Sequence, residues 1–163
     1  LFSHGLAAIG FNVTGIDNNA APDLQEYYPE PCLKTANRLK TVFGTNPDFV
    51  ETDIEPYILN NNREFDVVLL LNVVHHFFEG YAKSGIGKKS HDKIFMPLRI
   101  LCSHIRRVMY FEGPENEDIA YYPEGILFPD WFKDQAGACK IKAIAKTIGA
   151  NGMIRNLYRI QFY

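Results

Sequence analysis

The run Phe65-Asp66-Val67-Val68-Leu69-Leu70-Leu71 constrains this chain more than any other feature. From Val67 onward it is apolar without alternation, the pattern of a strand covered on both faces. Such coverage belongs to a parallel sheet between two layers of helix, so the run is predicted to be a central parallel strand. Helical periods flank it. Leu33, Ala36, Leu39, Val42 and Phe43 recur at helix spacing, which predicts a helix over residues 31 to 43 with Gly44 closing it. Ile94, Phe95, Leu98, Leu101 and Cys102 predict a second over residues 92 to 104, with Pro97 interrupting the pattern. Residues 3 to 9 read as the tail of a helix stopped by Gly10.

Shorter strands alternate with these helices. Residues 11 to 17 end on Asp17, residues 48 to 52 are followed by Asp53, and residues 107 to 112 end on Glu112 before Gly113-Pro114. A long proline-punctuated loop over residues 115 to 129 follows, and Asp130 is expected to cap a short helix carrying Trp131 and Phe132. Residues 140 to 147 and 153 to 162 read as a closing hairpin around Asn151-Gly152. The fold expected is therefore α/β: a doubly wound, mostly parallel sheet with a C-terminal antiparallel hairpin, in a single domain over residues 1 to 163. Ligands of such sheets sit beyond the carboxyl ends of the strands, where Asp17, Asp53, Asn72 and Glu112 fall.

Composition narrows the function classes. A chain of 163 residues with 47% apolar and 22% charged content buries roughly 70% of its unfolded surface as one domain. A net charge of -2 provides no general basic field for a phosphate backbone, so nucleic acid is not favoured as a partner. No apolar run approaches the ~20 residues needed to cross a bilayer, and no membrane role is expected. Three widely spaced cysteines, Cys32, Cys102 and Cys139, fit buried reduced thiols in a cytoplasm, and no spacing of ligands suggests a metal.

Two stretches resemble a known family. Leu6-Ala7-Ala8-Ile9-Gly10-Phe11-Asn12-Val13-Thr14-Gly15-Ile16-Asp17 resembles the second-strand motif of class I, Rossmann-like, S-adenosylmethionine-dependent methyltransferases. Phe65 to Leu71 with Asn72-Val73-Val74-His75-His76-Phe77 resembles the fourth-strand motif more closely. The resemblance implies S-adenosylmethionine as cofactor and methyl transfer to an oxygen or nitrogen of an acceptor that the sequence does not identify, a small molecule or sugar being favoured over nucleic acid. It also assigns roles. Asp17 would accept hydrogen bonds from the ribose hydroxyls with Asn18 beside it, and Asp53 would take the adenine amino group with Ile54 beside it. Asn72 and Val73 would face the amino-acid half of the cofactor. Each has a plainer reading: a turn aspartate at 17, a helix cap at 53, a strand terminator at 72. His75 and His76 are the candidate catalytic residues, since a neutral imidazole can take a proton from the acceptor. A sulfonium donor mainly needs alignment, however, so a structural histidine beside aromatics is the competing reading for each.

The family's first strand and glycine-rich loop would stand before Ser3, and the sequence starts at Leu1. An N-terminally incomplete domain is therefore expected, one whose exposed sheet edge promotes oligomerisation. Ser84-Gly85-Ile86-Gly87-Lys88-Lys89-Ser90 does not make a nucleotide-binding loop, because Lys89 separates Lys88 from Ser90. Tyr121, Tyr122, Phe128, Trp131 and Phe132 are candidates for an acceptor pocket or for a satellite core. A catalytically inactive scaffold of the same fold is the alternative function. A nicotinamide-dependent oxidoreductase fits less well, since no Tyr-x-x-x-Lys pair follows the fourth strand.

Overall fold

The structure, a computed structural model, describes residues 2–19, 30–71, 98–112, 128–137, 139–148, 152 and 154–163. Among the described residues two compact units emerge, one up to Tyr57 and the other from Ile58 onward. Asn72, Val73, His75, His76, the Ser84 to Ser90 loop, Tyr121 and Tyr122 lie outside the described residues.

The first unit begins with helix α1 (Phe2–Ala8), then β1 (Thr14–Asp17), α2 (Cys32–Phe43) and β2 (Asp48–Glu51), after which α3 (Ile54–Leu59) starts. β1 and β2 are parallel, from Thr14 opposite Asp48 to Asp17 opposite Glu51, so their carboxyl ends meet side by side. Gly15 lies opposite Phe49, and a Cβ at Gly15 would stand 2.8 Å from the Phe49 ring, so any larger residue would displace that ring. α2 stops where the sequence predicts. Gly44 takes the left-handed conformation with φ 61°, and its amide and that of Thr45 satisfy the Lys40 carbonyl.

His4 pins this unit together. It is 3% exposed, and its Nε2–H donates to the Ala36 carbonyl at 3.0 Å while Nδ1 shares a hydrogen bond with the Thr45 hydroxyl at 2.8 Å. A carbonyl can only accept, so Nε2 carries a proton. The ring also lies 5.4 Å from those of Phe43 and Phe49. One imidazole thus ties α1 to α2, to the turn after it and to β2.

In the second unit β3 spans Phe65–Leu71, the bounds read from the sequence, and β4 spans Ile105–Glu112 beside it in parallel. Between them, residues 98–103 form helix α4, which buries Leu98, Leu101 and Cys102. Helix α5 (Phe128–Ala136) and the hairpin of β5 (Cys139–Ile148) and β6 (Ile154–Phe162) complete it. Leu70 opposes Phe111, Phe111 opposes Tyr158 and Met109 opposes Ile160, so these five buried side chains share one face of the sheet. α5 sets Phe132, with no exposed surface, against Phe111 at 5.9 Å between ring centres. Burying side chains of this size is the main stabilising contribution here, at about 1.5–3 kcal/mol each.

Four expectations need correction. The described sheet is mixed rather than mostly parallel: its order is β3-β4-β6-β5, with β6 antiparallel to both β4 and β5. The reversed strand sits inside the order, not at its edge, so one reversal creates two antiparallel pairs. β3 is neither central among the described strands nor covered on both faces. β4 is its one described strand neighbour, and Val67 and Leu69, opposite in facing to Leu70, are each 37% exposed. Asp130 does not cap α5, which starts two residues earlier at Phe128 and so extends into the span read as loop. Pro129 is tolerated in a first turn, where its missing N–H costs nothing, and Asp130 acts there as a favourable charge near the helix N-terminus. Finally, the cysteines are all free thiols, but only Cys102 is buried, its pKa pushed up to about 12 by desolvation and by neighbouring Cys139. Cys32 is exposed because it opens α2 at the surface. Among the described residues no helix is long and apolar enough to cross a membrane.

Candidate functional site

Parallel pairing delivers the carboxyl ends of β1 and β2 to one place, and the sequence puts a carboxylate at each. Asp17 is the last residue of β1; Asp53 stands two residues beyond the end of β2. The Thr52 amide donates to the Asp17 carbonyl at 3.0 Å, continuing the ladder past Glu51 and locking the two ends in register.

Each carboxylate is held by a near neighbour. Oδ1 of Asp17 accepts the Asn19 amide at 2.7 Å, a tight turn in which Asn19 adopts φ 52°, a conformation asparagine tolerates better than most residues. The Asn19 side chain reaches on toward α2, its Oδ1 accepting the Leu33 amide at 3.4 Å. α2 needs that help, since Pro31 at its N-cap has no side-chain acceptor. Oδ1 of Asp53 accepts from Nδ2 of Asn18 at 2.6 Å. The Asp53 carbonyl accepts the Tyr57 amide at 3.3 Å, so Asp53 starts α3 through its backbone while its side chain turns to Asn18. Asp17, Asn18, Asp53 and Ile54 are all half-buried, which leaves them accessible to a ligand yet partly desolvated. Desolvation by neighbouring atoms and the Asp17 charge together raise the Cys32 thiol above its ordinary pKa.

Ionised carboxylates only accept hydrogen bonds. Two of them at adjacent strand ends suit a ligand rich in donors, such as paired hydroxyls or an amino group. Nothing in this cluster is built as a nucleophile. Of the residues singled out from sequence, the structure thus brings together Asp17, Asn18, Asp53 and Ile54.

A second polar group closes the carboxyl end of the other sheet. Glu112, the last residue of β4, accepts from the Thr147 hydroxyl at 2.8 Å, and Thr147 lies opposite Arg155, which is buried. Sequence reading found Glu112 and missed its companions. Counting outward from a two-residue turn at Asn151-Gly152 would pair Thr147 with Asn156; the observed register, with Ile148 opposite Ile154, sets it against Arg155 instead.

Helices and strands alternate along the chain, which makes the fold α/β. No family model and no curated protein matches the chain. Among solved structures, it is similar to magnesium protoporphyrin IX methyltransferase (ChlM) from Synechocystis PCC 6803 with bound S-adenosylmethionine, at TM-score 0.63 and 15% identity. That match covers 99% of this chain and 64% of the other, so the chain spans less than two thirds of that enzyme. The same enzyme with bound S-adenosylhomocysteine matches at TM-score 0.63 and 13% identity, over 99% of this chain and 68% of that one.

Proposed function

We propose that this chain is the body of one methyltransferase-like domain that transfers a methyl group from S-adenosylmethionine to an oxygen or nitrogen of a small-molecule or sugar acceptor. The observation that carries this reading is the pair of carboxylates at the adjoining ends of β1 and β2, in a fold like that of an enzyme solved with this cofactor and its product. Asp17 has the two-oxygen acceptor that ribose hydroxyls need, and Asp53 the acceptor that an adenine amino group needs. Asn18 and Ile54 flank them; Asn72 and Val73 keep the amino-acid half assigned by the fourth-strand motif. S-adenosylmethionine supplies an activated methyl on sulfur. The protein's share is then to align donor and acceptor and exclude water, with His75 and His76 as candidates to take a proton from the acceptor.

The test is calorimetric titration of S-adenosylmethionine into the full-length protein that contains this chain, with a nicotinamide dinucleotide as control. Micromolar binding of the first and none of the second is expected. A folded protein that binds neither would transfer the lead to the inactive-scaffold reading.

Among the described residues, β1 and β3 each have one strand neighbour. An unpaired strand edge templates association. Residues 1 to 163 expressed alone are therefore expected to sediment as dimers or larger species. A monodisperse monomer of the 163-residue segment in analytical ultracentrifugation would remove the argument.

A further inference from the structure

Asn18 stands in a position that contact with a cofactor does not explain: its side-chain amide is spent on Asp53. We infer that Asn18 is a positioning residue that makes Asp53 selective for a 6-amino purine over a 6-oxo one. The inference rests on the cofactor reading above and deepens it.

The argument starts from what a lone carboxylate does at a strand end. It rotates, its two oxygens are equivalent, and it meets a poorly matched ligand by turning away or letting water bridge the gap. Asp53 is not in that state. Its Oδ1 takes a hydrogen bond from Nδ2 of Asn18 at 2.6 Å. Asn18 is itself held from both sides, by the end of β1 at Asp17 and by the turn that ties the Asn19 amide to the Asp17 carboxylate at 2.7 Å. The donor therefore approaches Asp53 from a fixed direction. Among the described residues, Oδ2 of Asp53 has no hydrogen-bond partner. One oxygen is pinned, and the other is presented.

A fixed, ionised acceptor favours an N–H and opposes a carbonyl oxygen, since two acceptors facing each other leave both without a donor. Discrimination of this kind grows with rigidity, because the wrong ligand can no longer be accommodated by rotation. Adenine has a donor at its 6-position and hypoxanthine an acceptor. Asp53 reads that difference, and Asn18 sets how sharply it is read.

The experiment compares S-adenosylhomocysteine with its 6-oxo counterpart, S-inosylhomocysteine, by calorimetry on the full-length protein. Wild type is expected to prefer the amino form by about tenfold or more. Asn18→Ala, and Asn18→Leu as a variant of similar volume, are expected to compress that ratio to within about threefold, chiefly by weakening the amino form. Asp53→Ala should erase it. Thermal melting checks that each variant is folded. If either folded Asn18 variant keeps the wild-type ratio, Asn18 is merely structural and the inference falls. Wild type binding S-adenosylhomocysteine without preference would overturn the inference alone, and wild type binding neither nucleoside would overturn the cofactor reading with it.

Discussion

Alanine in place of Asp17 is expected to weaken S-adenosylhomocysteine binding to the full-length protein by at least about a hundredfold. The size follows from the bonds lost. Hydrogen bonds to a charged group contribute about 1.5–3 kcal/mol each, and a ribose offers two hydroxyls to the one carboxylate. The half-burial of Asp17 places these bonds where water competes less than at an open surface. Stability should change much less. The variant loses the acceptor for the Asn19 amide, a cost near 1 kcal/mol, or a fall of about 2–4 °C in melting temperature. Asp17→Asn keeps the shape but turns one acceptor into a donor, so it should fall between alanine and wild type. Calorimetry and a thermal melt on the same preparations separate the two effects. A dissociation constant for Asp17→Ala within threefold of wild type would remove Asp17 from the site.

How far such a site can be read from sequence depends on the range of the interactions that build it. β3 was found at its observed bounds, and β1 at its observed end, because strand ends are marked locally by polar residues after apolar ones. α2 ended at Gly44 for an equally local reason, a residue that accepts positive φ. The hairpin of β5 and β6 followed from Asn151-Gly152. What failed was non-local. His4 appeared to be the tail of a helix, yet its partners lie 32 and 41 residues away, in a helix and a turn whose placement the sequence does not encode nearby. The Asn18 to Asp53 bond spans 35 residues. Strand alternation put both residues at carboxyl ends, but no pattern says which oxygen meets which donor.

The apolar run in β3 shows a different limit. Five consecutive aliphatic residues were read as burial on both sides, whereas Leu70 is buried and Val67 and Leu69 are each 37% exposed. Hydrophobicity records what a residue can bury against, not whether the partner is present among the described elements. The mixed sheet order has a similar cause. A hairpin signal fixes that β5 and β6 are antiparallel neighbours, but either strand can pair with β4 without changing the local pattern. Here β6 does, and the sheet gains a second antiparallel pair.

Phe111→Ala should be the most destabilising single change in the second unit, costing about 3–5 kcal/mol. Phe111 is 2% exposed and lies between the paired strands that oppose it with Leu70 on one side and Tyr158 on the other. Its ring also packs against Phe132 of α5, an edge-tilted pair worth about 0.5–1.5 kcal/mol beyond its area. Truncation leaves a cavity between three strands that are held by their own ladders and cannot close in, so the cost belongs at the upper part of the range. Against a total of about 5–15 kcal/mol for a domain, that is a third or more of the stability. Phe111→Leu retains most of the volume and should cost about 1.5 kcal/mol or less. The consequence reaches the polar end of the sheet, because Glu112 is the next residue of β4 and its bond to Thr147 depends on β4 and the hairpin staying in register. Urea denaturation of the two variants gives the comparison. A shift for Phe111→Ala no larger than that for Phe111→Leu would mean that the core on this face relaxes around the lost ring, and that α5 is held by contacts other than Phe132 on Phe111.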